Sequence, residues 1–550
     1  MKFPLSHQKR QIIQFLGLFC CCCILIISCG GQNTPTDNAA SSVTSISSPE
    51  RIAVGSVAKP RTLDPADAYE VAISDVITSL GDRLYTYEGE TDTLIPQLAT
   101  ELPQVSDDGL TYTIPVRQGV TFHDGTPFNA DAMAFSLRRF SENGGKPSAL
   151  LSNIMESVAA TGEYELTIKL KNAFAPFPYL LAFPGLSAVS PQAYEIGQGK
   201  FKPNDFVGTG PYKLVSFEPN LVKVDVFEDY WGEKPPNQGI DFQFLSSPAN
   251  LYNSFTTGAV DIAYRDLDAD QILSLKEDAE SKGYQVLEKP SSRIDYIVLN
   301  VKQKPLDQVE VRQAIAALVD RQLIIDRVYR GQAEPAYSII PDTFATTKPV
   351  FKEPYGDGNV DKAKELLTEA GFSAENPFVL EIWYSSDSPQ RQQIVTLLKE
   401  YAEQKMDGLM QVQPQAVESA TLFGNIPKGI YPSYLVAWFP DFGDADNYIS
   451  PFFSCTKGSA ETGCQEGASQ SQGFFYYSEK MNQLIDAQRQ EQDPQARQQL
   501  FGQIQELMAQ DVPLVPLLQK KEFAFAQDSL QNVEINPIIG ISFWQVDKNA

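Results

Sequence analysis

The sequence predicts a mixed α/β protein with several domains. About 520 residues follow residue 28, and at roughly 100–200 residues per domain this length corresponds to about three domains. Apolar and polar residues alternate in YELTIKLK, residues 164–171, and in LVKVDVF, residues 221–227, as they do in half-buried strands. The apolar spacing i, i+4, i+7 and i+8 from Val311 predicts a helix within residues 307–320. Helix and strand patterns follow one another without a repeat, which favours the mixed class.

Capping residues and helix breakers place three further helices. Aspartate accepts hydrogen bonds from free N–H groups at a helix start, and glycine adopts the left-handed conformation that often follows a helix end. These signals predict helices from Asp320 to Gly331, from Asp361 to Gly371 and from Asp493 to Met508. Strands are predicted at LTYTIPV around residue 112, at YIVLNV around residue 297, and at VPLVPLL, residues 512–518.

The first 28 residues have the layout of a signal peptide. Basic residues at positions 2, 9 and 10 precede an apolar run over residues 12–27, which is somewhat short for a membrane-spanning helix of about 20 residues. IISC, residues 26–29, resembles the lipobox of bacterial lipoproteins, which implies that Cys29 carries the lipid. Residues 29–50, rich in Ser, Thr and Asn, predict a flexible tether. An uncleaved membrane anchor is the alternative, and either reading places the remaining chain outside the cytoplasmic membrane, in the periplasm or at the cell surface.

Cysteine usage agrees with export. Five of the 7 cysteines lie at positions 20–23 and 29, within or next to the predicted signal. Cys455 and Cys464 remain, and an even pair in an exported protein predicts a disulfide.

Charge and histidine content exclude several classes of function. The formal net charge is −25, which argues against nucleic acid as a partner. Of the 2 histidines, one lies in the signal, so His123 is the single histidine of the remaining chain. One histidine cannot serve both a Ser-His-Asp triad and any second histidine-dependent site, nor can it build a zinc site that needs several histidine ligands. We therefore expect no metal and no cofactor, and we interpret His123, next to an Asp-Gly turn, as a surface residue. VGTGPY, residues 207–212, lacks a phosphate-loop Lys-Ser/Thr and is interpreted as a backbone crossing point.

The stretch AWFPDFGDADNYISPFFSC, residues 437–455, sets three aspartates among large aromatic residues. Burying a carboxylate without a partner costs several kcal/mol, so at least one of Asp441, Asp444 and Asp446 is expected to meet a cation. That cation either belongs to the chain or arrives from outside. Asp444 and Asp446 also fit a turn and a helix cap for the residues after Asn447.

Six segments, taken in order, resemble the family 5 extracellular solute-binding proteins, the dipeptide- and oligopeptide-binding components of ABC importers. The resemblance covers the chain from about residue 51 to its end and is carried by RTLDPADAYEVAISDVITSLGDRLYTYEG, TFHDGTPFNADAMAFSLRRF, VGTGPYKLVSFEPN, DYWGEKPP, NSFTTGAVDIAY and LDQVEVRQAIAALVDRQLIIDRVYRGQAEPAYSIIP. It implies a periplasmic-binding-protein-like, two-lobed clamshell of three domains. Domain I would comprise residues 51–84, 203–289 and 526–550, domain II residues 85–202, and domain III residues 290–525.

The resemblance also implies a set of ligand-binding residues in the cleft between the lobes. Asp441 matches the family aspartate that pairs with the α-ammonium of a bound peptide, and Trp438 lines the pocket beside it. Peptide main chain would be met in an extended pairing. The family places such contacts after LDP, which gives Tyr69, Glu70, Val71 and Ala72. Arg391 lies where dipeptide-type members place a cation for the peptide carboxylate, and it can alternatively be an exposed arginine at a helix start.

The function expected from this resemblance is a monomeric receptor that captures di- or oligopeptides and delivers them to ABC permease subunits, without enzymatic activity. Two alternatives stay open. The same receptor can carry another cargo such as an oligosaccharide, since Trp383, Tyr384 and Trp438 could stack on sugar rings. A lipid-anchored hydrolase using two carboxylates is the alternative from a different class.

Overall fold

A computed structural model describes residues 50–57 and 59–548, which all belong to one compact unit. The predicted signal peptide, Cys29 and nearly all of the tether lie outside the described residues. No helix in these two ranges is long and apolar enough to cross a membrane.

An eleven-stranded mixed sheet runs through the molecule. In spatial order its strands are Met410–Val417, Phe378–Ser385, Ser433–Trp438, Gln285–Leu299, Leu514–Ala526, Ile262–Tyr264, Ile52–Ser56, Gly239–Phe244, Leu221–Val226 and Tyr212–Glu218, and Ala333–Pro335 pairs with Leu514–Ala526 to the side. A separate four-stranded antiparallel sheet contains Gln104–Val105, Thr111–Pro115, Glu165–Leu170 and Met155–Gly162. Four two-stranded ladders pair Tyr85–Tyr87 with Leu94–Pro96, Lys457–Ser459 with Gly463–Glu466, Leu530–Gln531 with Asp547–Lys548, and Ile535–Asn536 with Gly540–Ile541.

Helices flank these sheets. The α-helices are Val71–Leu80, Ala130–Glu142, Ala149–Ser152, Phe177–Leu180, Pro248–Thr256, Ala269–Lys282, Val309–Leu318, Arg321–Ile324, Lys352–Tyr355, Val360–Glu369, Pro389–Lys405, Ser419–Asn425, Ser450–Phe453, Ala468–Ser471, Glu479–Gln490 and Pro494–Asp511. Short 3-10 helices occupy Pro184–Leu186, Ile426–Lys428, Ala445–Tyr448 and Phe543–Gln545, and a π-helix occupies Ile325–Tyr329. The predicted mixed α/β class is confirmed.

Two long antiparallel strands, Gln285–Leu299 and Leu514–Ala526, connect the two halves of the large sheet. Their pairing shifts between Pro290 and Ile294, opposite Lys520, and we call residues 290–293 together with Lys520 the strand crossing. One hydrophobic core packs between residues 294 and 518, which we call the C-terminal lobe. Other cores pack around the N-terminal strands and around the four-stranded sheet, and we call this part the N-terminal lobe. The predicted domain ranges stay a proposal, and their boundaries after residues 289 and 525 fall inside the long strands.

Most predicted helix starts agree with the structure, and one is wrong. Asp320 accepts a hydrogen bond from the Leu323 N–H, and Asp493 caps the helix Pro494–Asp511, which runs three residues past its predicted end. Asp361 does not cap its helix. The cap is Asn359, which accepts from the Lys362 N–H, and Asp361 lies in the first turn, where its charge still suits the helix dipole.

The glycines of VGTGPY lie where two chain segments cross, as predicted. A Cβ atom on Gly210 would lie 2.5 Å from the Leu80 carbonyl carbon, so only glycine fits. The expectation of a surface histidine is wrong, because His123 faces this crossing. Its ring accepts from the Gly208 N–H at 3.3 Å and donates to the Gly210 carbonyl at 3.1 Å. Burial lowers the pKa of His123 to about 4, so the ring is neutral at physiological pH.

Candidate ligand-binding cleft

Two adjoining cavities lie between the lobes. The smaller, of about 230 Å³, is lined by Tyr69, Phe183, Trp438 and Asp441, and we call it the aspartate pocket. The larger, of about 490 Å³, is called the basic pocket after Arg293 and Lys520, which line it at the strand crossing. Its lining also includes Ser291, Tyr329, Gln390 and the carboxylates of Asp75, Asp266, Asp268 and Glu522. Val71, Arg265 and Phe439 line both cavities, so the two form one continuous cleft.

Asp441 follows the strand Ser433–Trp438 in a loop that is held by Asn447. The Asn447 side-chain oxygen accepts from the Asp441 N–H at 2.9 Å and from the Trp438 indole at 3.2 Å. The Asp441 carboxylate accepts a 2.6 Å hydrogen bond from the Tyr69 hydroxyl, which reaches it from the other lobe. Burial raises the pKa of the Asp441 carboxyl, although hydrogen bonds with Tyr69 and Asn447 oppose the rise. Among the described residues no basic side chain forms an ion pair with it.

The two neighbouring aspartates have partners inside the chain. Arg497 holds Asp444 in a bidentate ion pair at 2.6 and 2.7 Å. Arg489 holds Asp446 in the same way at 2.7 and 2.9 Å. Asp444 also caps the short helix Ala445–Tyr448, whereas the interpretation of Asp446 as a cap is wrong because it lies inside that helix. Of the three aspartates, Asp441 is thus the one whose charge the fold leaves without a counter-ion in the described chain.

Aromatic side chains shape the aspartate pocket around this carboxylate. Trp438 packs edge-on against Phe452 with ring centres 5.0 Å apart, which fixes its ring on the pocket wall. Tyr69 packs edge-on against Phe183 at 6.3 Å and is still 42% exposed. The pocket walls are therefore largely apolar, and the charged residues that line it are Asp441 and Arg265, the latter paired with Asp75 and Glu522.

The other residues expected to bind the ligand after LDP are Glu70, Val71 and Ala72. Val71, which begins the helix Val71–Leu80, is 41% exposed and lines both cavities. Glu70 is not among the residues that line either cavity. It pairs with Arg61 at 3.0 Å and Lys146 at 2.9 Å, and although burial opposes ionisation, these hydrogen bonds hold the pKa of Glu70 at about 2. The side chain of Ala72 lies outside the described part of the chain.

Arg391 lies just behind the wall of the basic pocket. It is the third residue of the helix Pro389–Lys405, whose second residue, Gln390, lines the cavity. Its side chain is half-buried, so the alternative of an exposed arginine is wrong. Burial lowers the pKa of the Arg391 guanidinium, with Asp295 opposing this effect and Arg293 adding to it.

Two cations at the strand crossing were missed by the sequence reasoning. Arg293 lines the basic pocket and donates to Asp295 at 3.0 Å. Lys520 lines it from the opposite strand, and burial, helped by repulsion from Arg293, lowers the pKa of Lys520 to about 8. The available signal was the pair Lys520-Lys521 inside the otherwise largely apolar run from Leu514 to Ala526.

Arg265 lines both cavities and forms ion pairs with two carboxylates of the chain. It pairs with Asp75 at 2.9 Å and with Glu522 at 2.6 Å, and its own φ is +58°, in the left-handed region that costs a non-glycine residue energy. Burial raises the pKa of Asp75 to about 7, with Arg265 opposing the rise. This cluster joins the helix Val71–Leu80 to the long strand Leu514–Ala526.

The aromatic residues considered for sugar stacking are only partly in the cleft. Trp383 packs against Tyr431 in a tilted arrangement with ring centres 4.8 Å apart, and Tyr384 is buried in the C-terminal core. Neither lines one of the two cavities, and only Trp438 does. The residues described here also contain no cluster of three or more histidine, cysteine or acidic side chains arranged to hold a metal ion. The structure joins Cys455 to Cys464 in a disulfide, as the sequence predicts.

Comparisons with known proteins agree with this architecture. The model of the bacterial extracellular solute-binding proteins, family 5, matches residues 93–460. The glutathione-binding protein GsiB of Salmonella typhi is 30% identical over 506 residues, which cover 90% of this chain and 94% of GsiB. Among solved structures, HbpA2 from Haemophilus parasuis has a TM-score of 0.77 at 24% identity and covers 91% of this chain and 100% of its own. A dipeptide-binding protein from Pseudoalteromonas sp. SM9913, solved with Met-Leu, has a TM-score of 0.75 at 23% identity and covers 90% and 100%.

These neighbours confirm the two-lobed, periplasmic-binding-protein-like fold, and the matches confirm the resemblance found in the sequence. The chain belongs to the family 5 bacterial extracellular solute-binding proteins, which are substrate-binding components of ABC importers and not enzymes.

Proposed function

We propose that this protein is a lipid-anchored receptor that captures di- or oligopeptides in the interlobe cleft and delivers them to an ABC permease in the membrane. The observation that carries the proposal is the Asp441 carboxylate. It lies on an apolar pocket wall without a cationic partner in the described chain, while Asp444 and Asp446 each have an arginine. A carboxylate placed in this way is suited to an incoming ammonium group, because a charged hydrogen bond in such a place contributes about 1.5–3 kcal/mol.

A peptide would lie across both cavities with its ends apart. Its α-ammonium would meet Asp441, and the Tyr69 hydroxyl oxygen could accept one of the remaining ammonium hydrogens. Its main chain would pass Val71, which lines both cavities. Its carboxylate would point to the basic pocket, where Arg293 and Lys520 line the cavity and Arg391 stands behind them. Binding of the peptide carboxylate, expected of Arg391 alone, would therefore be shared with Arg293 and Lys520.

The relatives bind ligands of matching chemistry. GsiB is named for glutathione and the Pseudoalteromonas protein was solved with Met-Leu. Each of these ligands carries an ammonium and a carboxylate at separate positions, as the two pockets require. An oligosaccharide has neither charge, and only one of the three proposed stacking rings lines the cleft.

The lipid anchor is the second part of the proposal. Cys29 would carry the lipid and residues 29–50 would act as the tether, which keeps a monomeric receptor close to its permease. Metabolic labelling with a radioactive fatty acid tests this directly. We expect label on the wild type and none on Cys29→Ser, which should also leave the membrane fraction. Equal labelling of both proteins would refute lipidation at Cys29.

Mass spectrometry of ligands that co-purify with the protein tests the cargo. Peptides with free amino termini should be released on denaturation, and the Asp441→Asn protein should retain much less of them. Recovery of uncharged sugars, with no difference between the two proteins, would refute the peptide assignment.

A further inference from the structure

We infer that Phe442 is a positioning residue for ligand binding, because its ring docks into the N-terminal lobe and holds the two lobes together around the cleft. This inference rests on the proposed peptide function and adds a residue that acts through closure of the lobes. It is carried by residues 441–443, which lie in the sequence range of the C-terminal lobe and contact the other lobe at each position. We call these three residues the latch.

The Phe442 side chain packs in the core of the opposite lobe. It is 4% exposed, and the other members of its hydrophobic core come from residues 66–188 and from Ile539. Its ring meets Phe174 edge-on, with ring centres 6.3 Å apart. Separating the lobes would expose this ring to water, so its burial favours the closed arrangement through contacts that the chain itself supplies.

Gly443 lets the latch approach the other lobe closely. Its N–H donates a 2.9 Å hydrogen bond to the Tyr87 hydroxyl oxygen. A Cβ atom at this position would collide with Ile538 and lie 2.9 Å from the Tyr87 ring. The φ of Gly443 is outside the left-handed region, so the nearness of the other lobe, and not the backbone conformation, requires glycine.

A second contact lies beside the latch and uses the same phenylalanine. The Arg489 guanidinium lies over the Phe174 ring, 5.0 Å from its centre, and the Arg489 carbonyl accepts from the Ala175 N–H at 2.6 Å. Asp446 fixes this arginine by its ion pair. Phe174 is thus held between Phe442 and Arg489, both of which come from the C-terminal lobe.

The latch connects closure to ligand binding. Phe442 and Gly443 are not among the residues that line either cavity, so they would act without touching the ligand. The aspartate pocket needs Tyr69 and Asp441, which come from different lobes and meet when these are closed. Apparent affinity falls by the factor by which the binding-competent fraction falls, so a weaker latch gives weaker binding.

Two variants test this role in different ways. Phe442→Ala removes the docked ring, which reduces the equilibrium constant for closure about tenfold or more. Gly443→Ala removes no group and adds a methyl that collides with the other lobe in the closed arrangement. It therefore keeps the inference testable even where Phe442→Ala does not fold.

Calorimetry and small-angle X-ray scattering give the two readouts. We expect both variants to bind the dipeptide Met-Leu about three- to tenfold more weakly than the wild type at pH 7.5. Scattering without peptide should give both variants a larger radius of gyration than the wild type. Weaker binding with an unchanged radius of gyration would overturn the inference, because the latch would then act only on the local position of Asp441.

Gly424→Ala is the matched control. It adds the same methyl to the same lobe, in the helix Ser419–Asn425, where no atom of the described chain outside that helix's own backbone lies within 4 Å of the new carbon. Its affinity and radius of gyration should equal those of the wild type. Wild-type values for Phe442→Ala and Gly443→Ala as well would overturn the inference and leave the peptide function intact. If Met-Leu does not bind the wild type, that result counts against the proposed function, and the scattering comparison decides the closure role by itself.

Discussion

Replacing Asp441 with asparagine removes one charge from the aspartate pocket and keeps the shape of the side chain. The carboxylate lies 2.6 Å from the Tyr69 hydroxyl and has no ion pair in the described chain. In the complex it would be the counter-ion of a peptide ammonium. The variant would leave that ammonium enclosed without a counter-ion.

The expected loss of affinity follows from this geometry. Breaking a fully buried ion pair costs about 3–5 kcal/mol, and each 1.4 kcal/mol is a factor of ten in affinity. Asp441 is only partly shielded from solvent, so we take the lower end, which corresponds to at least a hundredfold weaker binding of peptides with free amino termini. An N-acetylated peptide lacks the ammonium. It should bind the wild type poorly, and the substitution should change its affinity little.

Isothermal titration calorimetry with free and N-acetylated forms of one peptide measures both effects, and the comparison separates a direct contact from general damage. Asp446→Asn is a control in the same loop, because Asp446 is held by Arg489 instead of facing the cleft. It should lower the free energy of unfolding, since it leaves a buried arginine without its partner. If Asp441→Asn binds free-amine peptides as well as the wild type does, Asp441 is a structural residue and the reasoning is refuted.

In contrast to Asp446→Asn, the substitution Asp441→Asn should not lower the free energy of unfolding. Folding raises the pKa of the Asp441 carboxyl through burial. A raised pKa favours the folded protein below the unfolded carboxyl's pKa, and this contribution is lost as the pH rises through the folded value. Above that value the ionised carboxylate is a cost that asparagine lacks, so the variant should unfold at equal or higher urea concentration at pH 7. The difference between the two proteins should shrink toward acid pH.

Three further predictions concern other parts of the molecule. Tyr69→Phe removes a hydrogen bond that joins the lobes and the oxygen proposed to accept from the peptide ammonium, so free-amine peptides should bind about three- to tenfold more weakly in calorimetry and N-acetylated peptides should lose less. Alkylation without reductant, followed by intact-mass measurement, should leave Cys455 and Cys464 unlabelled, and two labels would contradict the disulfide. Because the pKa of His123 is lowered to about 4, stability should fall between about pH 6.5 and 4, on the order of 1–3 kcal/mol. Urea titrations should show a smaller fall for His123→Asn, and an identical fall would refute this role.

Local patterns in the sequence were sufficient for much of the fold. Alternation predicted strands such as Glu165–Leu170, and helical periodicity predicted Val309–Leu318, because both patterns depend on residues a few positions apart. The capping error at Asp361 is of the same local kind, since Asn359 two residues earlier is an equally good cap. His123 was misjudged because the backbone that covers its ring lies more than 80 residues further along the chain.

The candidate site depends on pairings that no local pattern contains. Asp441, Asp444 and Asp446 look equivalent in the sequence, yet Arg489 and Arg497, which lie 43 and 53 residues further on, engage two of them and leave the third. In the same way, Lys520 and Lys521 are neighbours, and in the described part of the chain it is Lys521 that forms ion pairs, with Glu288 and Glu334.

The criterion that separates a ligand-binding charge from a structural one is therefore whether the fold itself supplies the counter-ion. Structural charges gain stability by pairing within the chain, whereas a charge kept for a ligand costs the unliganded protein part of its stability. Within the described chain neither Asp441 at one end of the cleft nor Lys520 at the other forms an ion pair, although Asp266 and Asp295 lie near Lys520, and the two charges have opposite signs. Two such charges, set apart in one cleft, favour a ligand with opposite charges at separate positions. This requirement fits a peptide better than a sugar.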